Sequence, residues 1–274
     1  MFKIQVNRFE RMYLSYTESD DEAGGSDSHC HEYYEICYMI DGEAAYSVEG
    51  KKFFVVPDSL LLIPANSYHQ WIYPTDKISH RICLHFLPEI FQKPEREFYL
   101  SMFDEPGFLL NESRQKIDFF IKTIDECKLF EAAQQRQAAK VRLASLLHTI
   151  SYMKSTNNAM PVVLDRRIGQ VIAYIGEHFQ EELTLDNLAE RFLLNKNHLN
   201  VLFHRVVGTP IKKFVNIKRL GAAHQEILQG KSLGDAASSA GFNNYATFFR
   251  AYKSFYGYQP SETRIGELEY SPQK

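Results

Sequence analysis

The chain has 274 residues, 45% of them hydrophobic, enough for one large or two ordinary domains, each with its own core. A formal net charge of −3 excludes a uniformly basic nucleic-acid binder, but the balance is uneven along the chain. Residues 1 to 164 carry 17 Lys and Arg against 23 Asp and Glu, whereas residues 166 to 264 carry 13 against 8. A positive C-terminal part suits phosphate neutralisation, although a solvated basic surface has the same composition.

The opening MFKIQVNRFERM has no apolar signal-peptide core, and nowhere do eighteen apolar residues run together. Neither export nor a membrane span is expected, and the location reads as cytoplasmic. Cys30, Cys37, Cys83 and Cys127 are scattered without a CxxC pair. That is the pattern of reduced thiols rather than of a disulfide framework.

From Met1 to about Pro94 the chain is rich in Tyr, Phe, Val and Ile, broken by turn signals at Asp41-Gly42, Glu49-Gly50 and Pro57 to Ser59. Short antiparallel strands in a sandwich or barrel are predicted, with a hairpin through EICYMI, DGEAAYSVEG and KKFFVV, and LLLIP following. From Glu112 the period becomes helical. Ile117, Phe120, Ile121 and Ile124 form one stripe, and Val141, Leu143, Leu146, Leu147 and Ile150 form another. These two helices either close the sandwich or pair with a second copy of the chain. The polar STNNAMP at Ser155 to Pro161 reads as a linker.

The C-terminal part repeats itself with a shift of 48 or 49 residues: Leu188 and Ala189 fall on Ala236 and Ala237, and Asn195, Leu199 and Phe203 fall on Asn244, Phe248 and Tyr252. Each copy reads as a short helix, a turn and a longer helix. Thr184 and Asn195 cap the first pair; Ser232 and Asn243 or Asn244 cap the second. Lys196, Asn197, Asn200 and Val201 then face outward in the first copy, and Tyr245, Ala246, Phe249 and Arg250 in the second. A helix from about Pro210 to Leu228 joins them, spanning roughly 30 Å against the ~34 Å of one duplex turn. Two helices so spaced suit successive major grooves on one face of DNA.

GTPIKKFVNIKRLGAA and, after it, GFNNYATFFRAYKSFYGYQPSETR make this part resemble the AraC/XylS family of bacterial regulators, over about Ile168 to Arg264. The resemblance implies base-reading roles for Asn197, Asn200 and Val201 and for Tyr245, Ala246, Phe249 and Arg250. Asn suits adenine, Arg guanine, and Val or Ala a thymine methyl. Lys196, Arg205, Lys212, Lys213, Arg219 and Lys253 are phosphate-clamp candidates, with Arg219 read rather as a structural ion-pair partner. Leu193 stands where a left-handed-tolerant residue is usual, whereas the second turn keeps Gly241.

Nearer the start, His29-Cys30-His31-Glu32-Tyr33-Tyr34-Glu35 with Gly42, and later Pro64 to His69, resemble the two cupin motifs. In cupin metalloproteins such positions hold a divalent metal, which here implies His29, His31, Glu35 and His69 as ligands for Fe, Mn, Ni or Zn. Asp58 and Asn66 replace two motif glycines, and the glycine before the first histidine is out of register. Sensor domains of the regulator family carry the same letters without catalysis, framing a small-molecule pocket. That reading leads, with the metal left open. Tyr33, Tyr38, Tyr46, Trp71, Tyr73, Arg81 and His85 are further pocket candidates, suited to a sugar or similar metabolite.

The expectation is an α+β, two-domain chain. Residues 1–154 form a cupin-like sandwich or barrel with two following helices, for effector binding and dimerisation; 155–165 form a linker; and 166–266 form an all-α tandem helix-turn-helix domain. The expected function is a ligand-responsive regulator, an activator of a carbohydrate-use or related operon and not an enzyme. Expected partners are double-stranded promoter DNA, a small-molecule effector, a second copy of the chain and RNA polymerase. The alternatives are a cupin metalloenzyme with a DNA-binding appendage and a ligand-independent dimeric regulator.

Overall fold

The computed structural model describes residues 3–9, 12–19, 28–72, 79–92, 94–104, 108–111, 132–156, 162–163 and 165–263, with isolated positions at 118, 122 and 126. The chain divides into two compact units, residues 1–162 and 163–274.

The first unit is a sandwich of two antiparallel sheets. The strands are β1 (Lys3–Phe9), β2 (Met12–Ser19), β3 (Tyr34–Asp41), β4 (Ala44–Val48), β5 (Lys51–Val55), β6 (Ser59–Ile63), β7 (His69–Ile72), β8 (Ser79–Phe86), β9 (Phe108–Asn111) and β10 (Val162–Val163). One sheet runs β1-β2-β8-β3-β6-β9 and the other β10-β5-β4-β7. The short helix α1 (Glu95–Leu100) precedes β9, and the long helix α2 (Ala132–Thr156) follows it.

Successive strand side chains point to opposite faces, so β3 serves two cores. Ile36 and Tyr38 join Leu60, Leu62, Ile82, Leu84 and Phe86 against Leu143, Leu146, Leu147, Ile150 and Met153 of α2. Cys37 and Met39, with Leu61, Ile63 and Cys83, face Tyr46, Val48, Phe53, Val55 and Trp71 inside the sandwich. With both faces covered, the strand reads as a continuous apolar run. At about 1.5–3 kcal/mol per buried large side chain, these two layers are the main stabilising term of the unit.

Two expectations change here, and a third falls outside the described residues. Asp41-Gly42 does not close a hairpin: β3 pairs with β6 and β8, and the chain crosses at Gly42 (φ 87°) into the other sheet. The hairpin is β4–β5, through Glu49 and Gly50 at φ 45° and 77°, both positive as a primed two-residue turn requires. Val162–Val163, expected inside the linker, form an edge strand beside β5. The stripe from Ile117 to Ile124 lies outside the described residues, of which 118, 122 and 126 are helical.

The second unit holds α3 (Arg166–His178), α4 (Leu185–Arg191), α5 (Lys196–Val207), α6 (Ile211–Leu228), α7 (Leu233–Ser239) and α8 (Tyr245–Tyr256). Helices start where a side chain can accept from their first, otherwise orphaned N–H groups. Asp165, Thr184, Asn195, Ser232 and Asn244 each do so. Gly208 and Gly257, at φ 82° and 81°, end α5 and α8. Leu188, Leu199, Phe203, Phe214, Phe248 and Tyr252 form the core that α6 threads.

Candidate functional sites: two exposed helix faces and histidines around a buried glutamate

Each helix-turn-helix copy presents its second helix to solvent. On α5, Asn197, Val201 and Arg205 are exposed and Asn200 is half-buried. Lys196 is exposed but already pairs with Asp186 at 2.7 Å. On α8, Tyr245, Ala246, Arg250 and Lys253 are exposed and Phe249 is half-buried. His204, also exposed, is not among the residues picked from the sequence. Its spacing of seven from Asn197 and three from Val201 puts it on their stripe, and that spacing was the available signal.

Arg219 points into the domain. Its Nε donates to the Phe179 carbonyl and its Nη2 to the Glu181 carbonyl, each at 2.7 Å, just beyond the end of α3. It is therefore neither a phosphate clamp nor an ion-pair partner; it satisfies helix-end carbonyls. Beside it, Gly241 at φ 89° is so close to Gln180 that an added Cβ would sit 2.5 Å from the Gln180 carbonyl oxygen. Leu193, at the equivalent turn of the first copy, adopts φ 53° and is 93% exposed.

In the sandwich, the segment before β3 docks on the segment entering β7. His29 and His69 exchange backbone hydrogen bonds at 3.0 and 2.9 Å, and the Asn66 N–H donates to the His31 carbonyl at 2.8 Å. Asn66, at φ 58°, and Asp58, at φ 66°, take the left-handed turns that glycine fills in the motif; Asn and Asp are the residues best suited to it. The β3–β8 register sets His85 directly opposite Glu35. The result is a buried carboxylate among imidazoles. Glu35 Oε2 lies 3.0 Å from His31 Nε2, 3.2 Å from His85 Nε2 and 3.5 Å from His69 Nε2. Its other oxygen, Oε1, accepts from the Cys37 thiol at 2.6 Å.

The electrostatics follow from burial. Desolvation alone would raise the Glu35 pKa, but His85, His31 and His69 outweigh it and hold the carboxyl well below the usual range. Burial pushes His69 well below its ordinary value and His85 below its own, against the pull of Glu35. His31 Nδ1 meets the Tyr33 carbonyl at 3.1 Å and His69 Nδ1 the Ser67 carbonyl at 2.8 Å. A carbonyl only accepts, so each Nδ1 carries the hydrogen; His31 Nε2 in turn hydrogen-bonds Glu35 Oε2, whereas His69 Nε2 has no hydrogen-bond partner among the described residues.

The cupin motifs imply a divalent metal, and the donors fit one. The buried Nε2 of His69 and the buried hydroxyl of Tyr46 have no hydrogen-bond partner among the described residues. The ligand atoms of His29, His31 and His69 lie within 4.8 Å of one another, as do those of His31, Glu35 and His85. His29, His31, Glu35 and His69 are thus brought together, and His85 joins them. Tyr38 is not: it lies on the opposite face of β3 and donates to Asp58 at 2.5 Å. Tyr46 and Trp71 pack edge to face at 4.3 Å inside the sandwich, with the Arg81 guanidinium 4.6 Å over the Trp71 ring. Tyr73 lies outside the described residues.

Residues 188–265 match the model of a helix-turn-helix domain and residues 18–85 that of a cupin domain. The chain is 31% identical over 121 residues to an uncharacterized HTH-type transcriptional regulator of Staphylococcus aureus (strain MSSA476), covering 43% of this chain. The match spans only 16% of that relative's length. To the HTH-type transcriptional regulator YbfI of Bacillus subtilis (strain 168) it is 23% identical over 221 residues, 79% of each protein. Among solved structures, apo ToxT of Vibrio cholerae aligns over 93% of this chain and 98% of its own, with a TM-score of 0.43 and 12% identity. No helix among the described residues is long and apolar enough to cross a membrane.

Proposed function

We propose, for a chain that belongs to the AraC-type helix-turn-helix transcription regulators and carries a cupin domain ahead of its DNA-binding domain, that α5 and α8 read successive major grooves. The observation that carries this is the exposure of Asn197, Val201, Tyr245, Ala246 and Arg250 on the second helix of each copy, while Leu199, Phe203, Phe248 and Tyr252 anchor those helices inward. Asn197 and Asn200 suit adenine, Arg250 suits guanine, and Val201 and Ala246 suit thymine methyls. Arg205, His204, Lys212, Lys213 and Lys253, all exposed, would contact backbone phosphates in this reading, with Lys196 joining after release from Asp186.

The N-terminal domain acts as the effector domain in this reading. A sugar effector has less support than an ion, because Tyr38 faces α2 while Tyr46 and Trp71 are packed on each other. The donor set of His29, His31, Glu35 and His69 favours a divalent transition metal. Val141 and Tyr152, 53% and 73% exposed on α2, support pairing with a second copy. Footprinting of the purified protein on the DNA upstream of its own gene tests the regulator reading. Protection of two adjacent major grooves on one face is expected, and no preference over random DNA at physiological salt overturns it.

A further inference from the structure

Both cupin motifs end before β8, so neither includes His85. We propose that His85 is a metal ligand, added to the motif donors His29, His31, Glu35 and His69, and that the ion they hold ties the two sheets of the sandwich together. The assignment rests on the effector-domain reading, but its argument and its test do not require DNA.

Spacing is the first argument. With metal bonds of about 2.1 Å, neighbouring donors lie about 3.0 Å apart in an octahedron and about 3.4 Å in a tetrahedron. The imidazole nitrogens stand 3.0, 3.2 and 3.5 Å from Glu35 Oε2, the third being His69 and the second His85. His85 therefore sits at a ligand-to-ligand distance no less suitable than those of the motif histidines.

Polarity is the second. His69 spends Nδ1 on the Ser67 carbonyl, so its Nε2 faces Glu35 Oε2 at 3.5 Å lone pair to lone pair. That nitrogen is buried with no hydrogen-bond partner among the described residues, whereas His31 Nε2 hydrogen-bonds the same oxygen. A cation among these atoms turns that repulsion into coordination.

Rigidity is the third. Glu35 and His85 are register partners on two central strands of the six-stranded sheet, whereas His69 opens β7 of the other sheet. Cys37 holds the far carboxylate oxygen, which keeps Oε2 turned toward the histidines. An ion bound by Glu35 and His85 on one sheet and His69 on the other bridges the sheets, so its binding free energy adds to the stability of the sandwich.

The test uses full-length protein stripped with a chelator and titrated with Co²⁺ or Zn²⁺ alone. One equivalent is expected to bind, with the strong visible bands of low-coordinate Co²⁺ and a higher melting temperature reported by Trp71, the single tryptophan. His85→Ala and the amide variant His85→Asn are both expected to weaken binding on the order of a hundredfold or more, beyond the usual cost of losing an orienting partner. Both should also lose the Co²⁺ bands and the thermal shift, while His148→Gln, exposed on α2, changes nothing. Far-UV circular dichroism and Trp71 emission verify folding, and two variants guard against one that fails to fold. Wild-type affinity and spectrum in a folded His85 variant overturn the assignment, as does a wild-type protein that takes up no ion. Normal ion binding that leaves DNA affinity unchanged overturns the effector reading and leaves the ligand assignment standing.

Discussion

The two turns of the tandem copies invite one matched experiment. Gly241 stands at φ 89° with an ideal Cβ 2.5 Å from the Gln180 oxygen and 2.8 Å from Gln180 C and Cα. Ala there incurs about 1–2 kcal/mol of left-handed strain, plus about 1–3 kcal/mol for forcing the Gln180 backbone away, less about 0.4–1 kcal/mol from a stiffer unfolded chain. The net destabilisation is about 1–5 kcal/mol, centred near 3. Gly257 isolates the conformational part, since it lies at φ 81° with nothing within 4 Å of an added Cβ. Gly257→Ala should therefore cost about 1 kcal/mol or less. Leu193→Gly should go the other way, because it relieves a left-handed leucine that is 93% exposed; a gain of about 0.5–1 kcal/mol is expected. Urea unfolding of the full chain followed by far-UV circular dichroism measures the helical domain, with Trp71 emission as the separate report on the sandwich. If Gly241→Ala costs no more than Gly257→Ala, the close approach of the second turn to Gln180 is refuted.

Three further outcomes follow from the C-terminal domain. His224 is buried, receives or donates a 2.6 Å hydrogen bond at Nδ1 with the Tyr252 hydroxyl, and is lowered by desolvation to about 4. The folded state thus keeps it neutral while the unfolded chain protonates near pH 6.5, so its contribution, about 3 kcal/mol, is present above 6.5 and lost as pH falls toward 4. His224→Gln should flatten that part of the stability profile measured by urea unfolding at several pH values, and an unchanged slope rejects the assignment. Arg219→Ala should destabilise the domain by about 1–3 kcal/mol through loss of two charge-assisted bonds to carbonyls, and Lys should rescue little of it because one ammonium cannot reproduce the guanidinium fork. In binding titrations, Arg250→Ala should cost about 1–3 kcal/mol and relax one base position, whereas Lys253→Ala should weaken all sequences alike; equal behaviour of the two would misassign the face of α8.

What the sequence revealed tracks how local each cause is. Thr184, Asn195, Ser232 and Asn244 cap helices through N–H groups two or three residues away, so a short window sufficed to place them. Asp41-Gly42 misled because a turn signal says where the chain bends and not which sheet it enters; the partners of β3 lie about 20 and 50 residues further on. The same distance hid His85, whose relation to Glu35 exists only through strand register. Tyr38 was readable and misread. Strand alternation puts it on the face opposite Glu35, but β3 is buried on both sides, and nothing apolar or polar in the run distinguishes the interior face from the one under α2. Arg219 looked like a phosphate or carboxylate partner because sequence shows its charge and not the helix end it faces.

These inward contacts also bear on how the two copies meet DNA. The 18 residues of α6 span roughly 27 Å at 1.5 Å per residue, and nine of them are buried, so α6 is a packed strut rather than a tether. Arg219, midway along it, grips the end of α3, and the turn of the second copy closes on Gln180 in the same place. The separation of α5 and α8 is therefore built into the core, and bending it would open contacts worth several kcal/mol. DNA must then match the protein, not the reverse. Inserting about half a helical turn, roughly 5 base pairs, between the two half-sites should leave only one helix seated and reduce affinity toward the non-specific level, whereas a flexible connection would tolerate the insertion. A site that keeps full affinity through that insertion would show that the strut yields, and with it the single-face geometry.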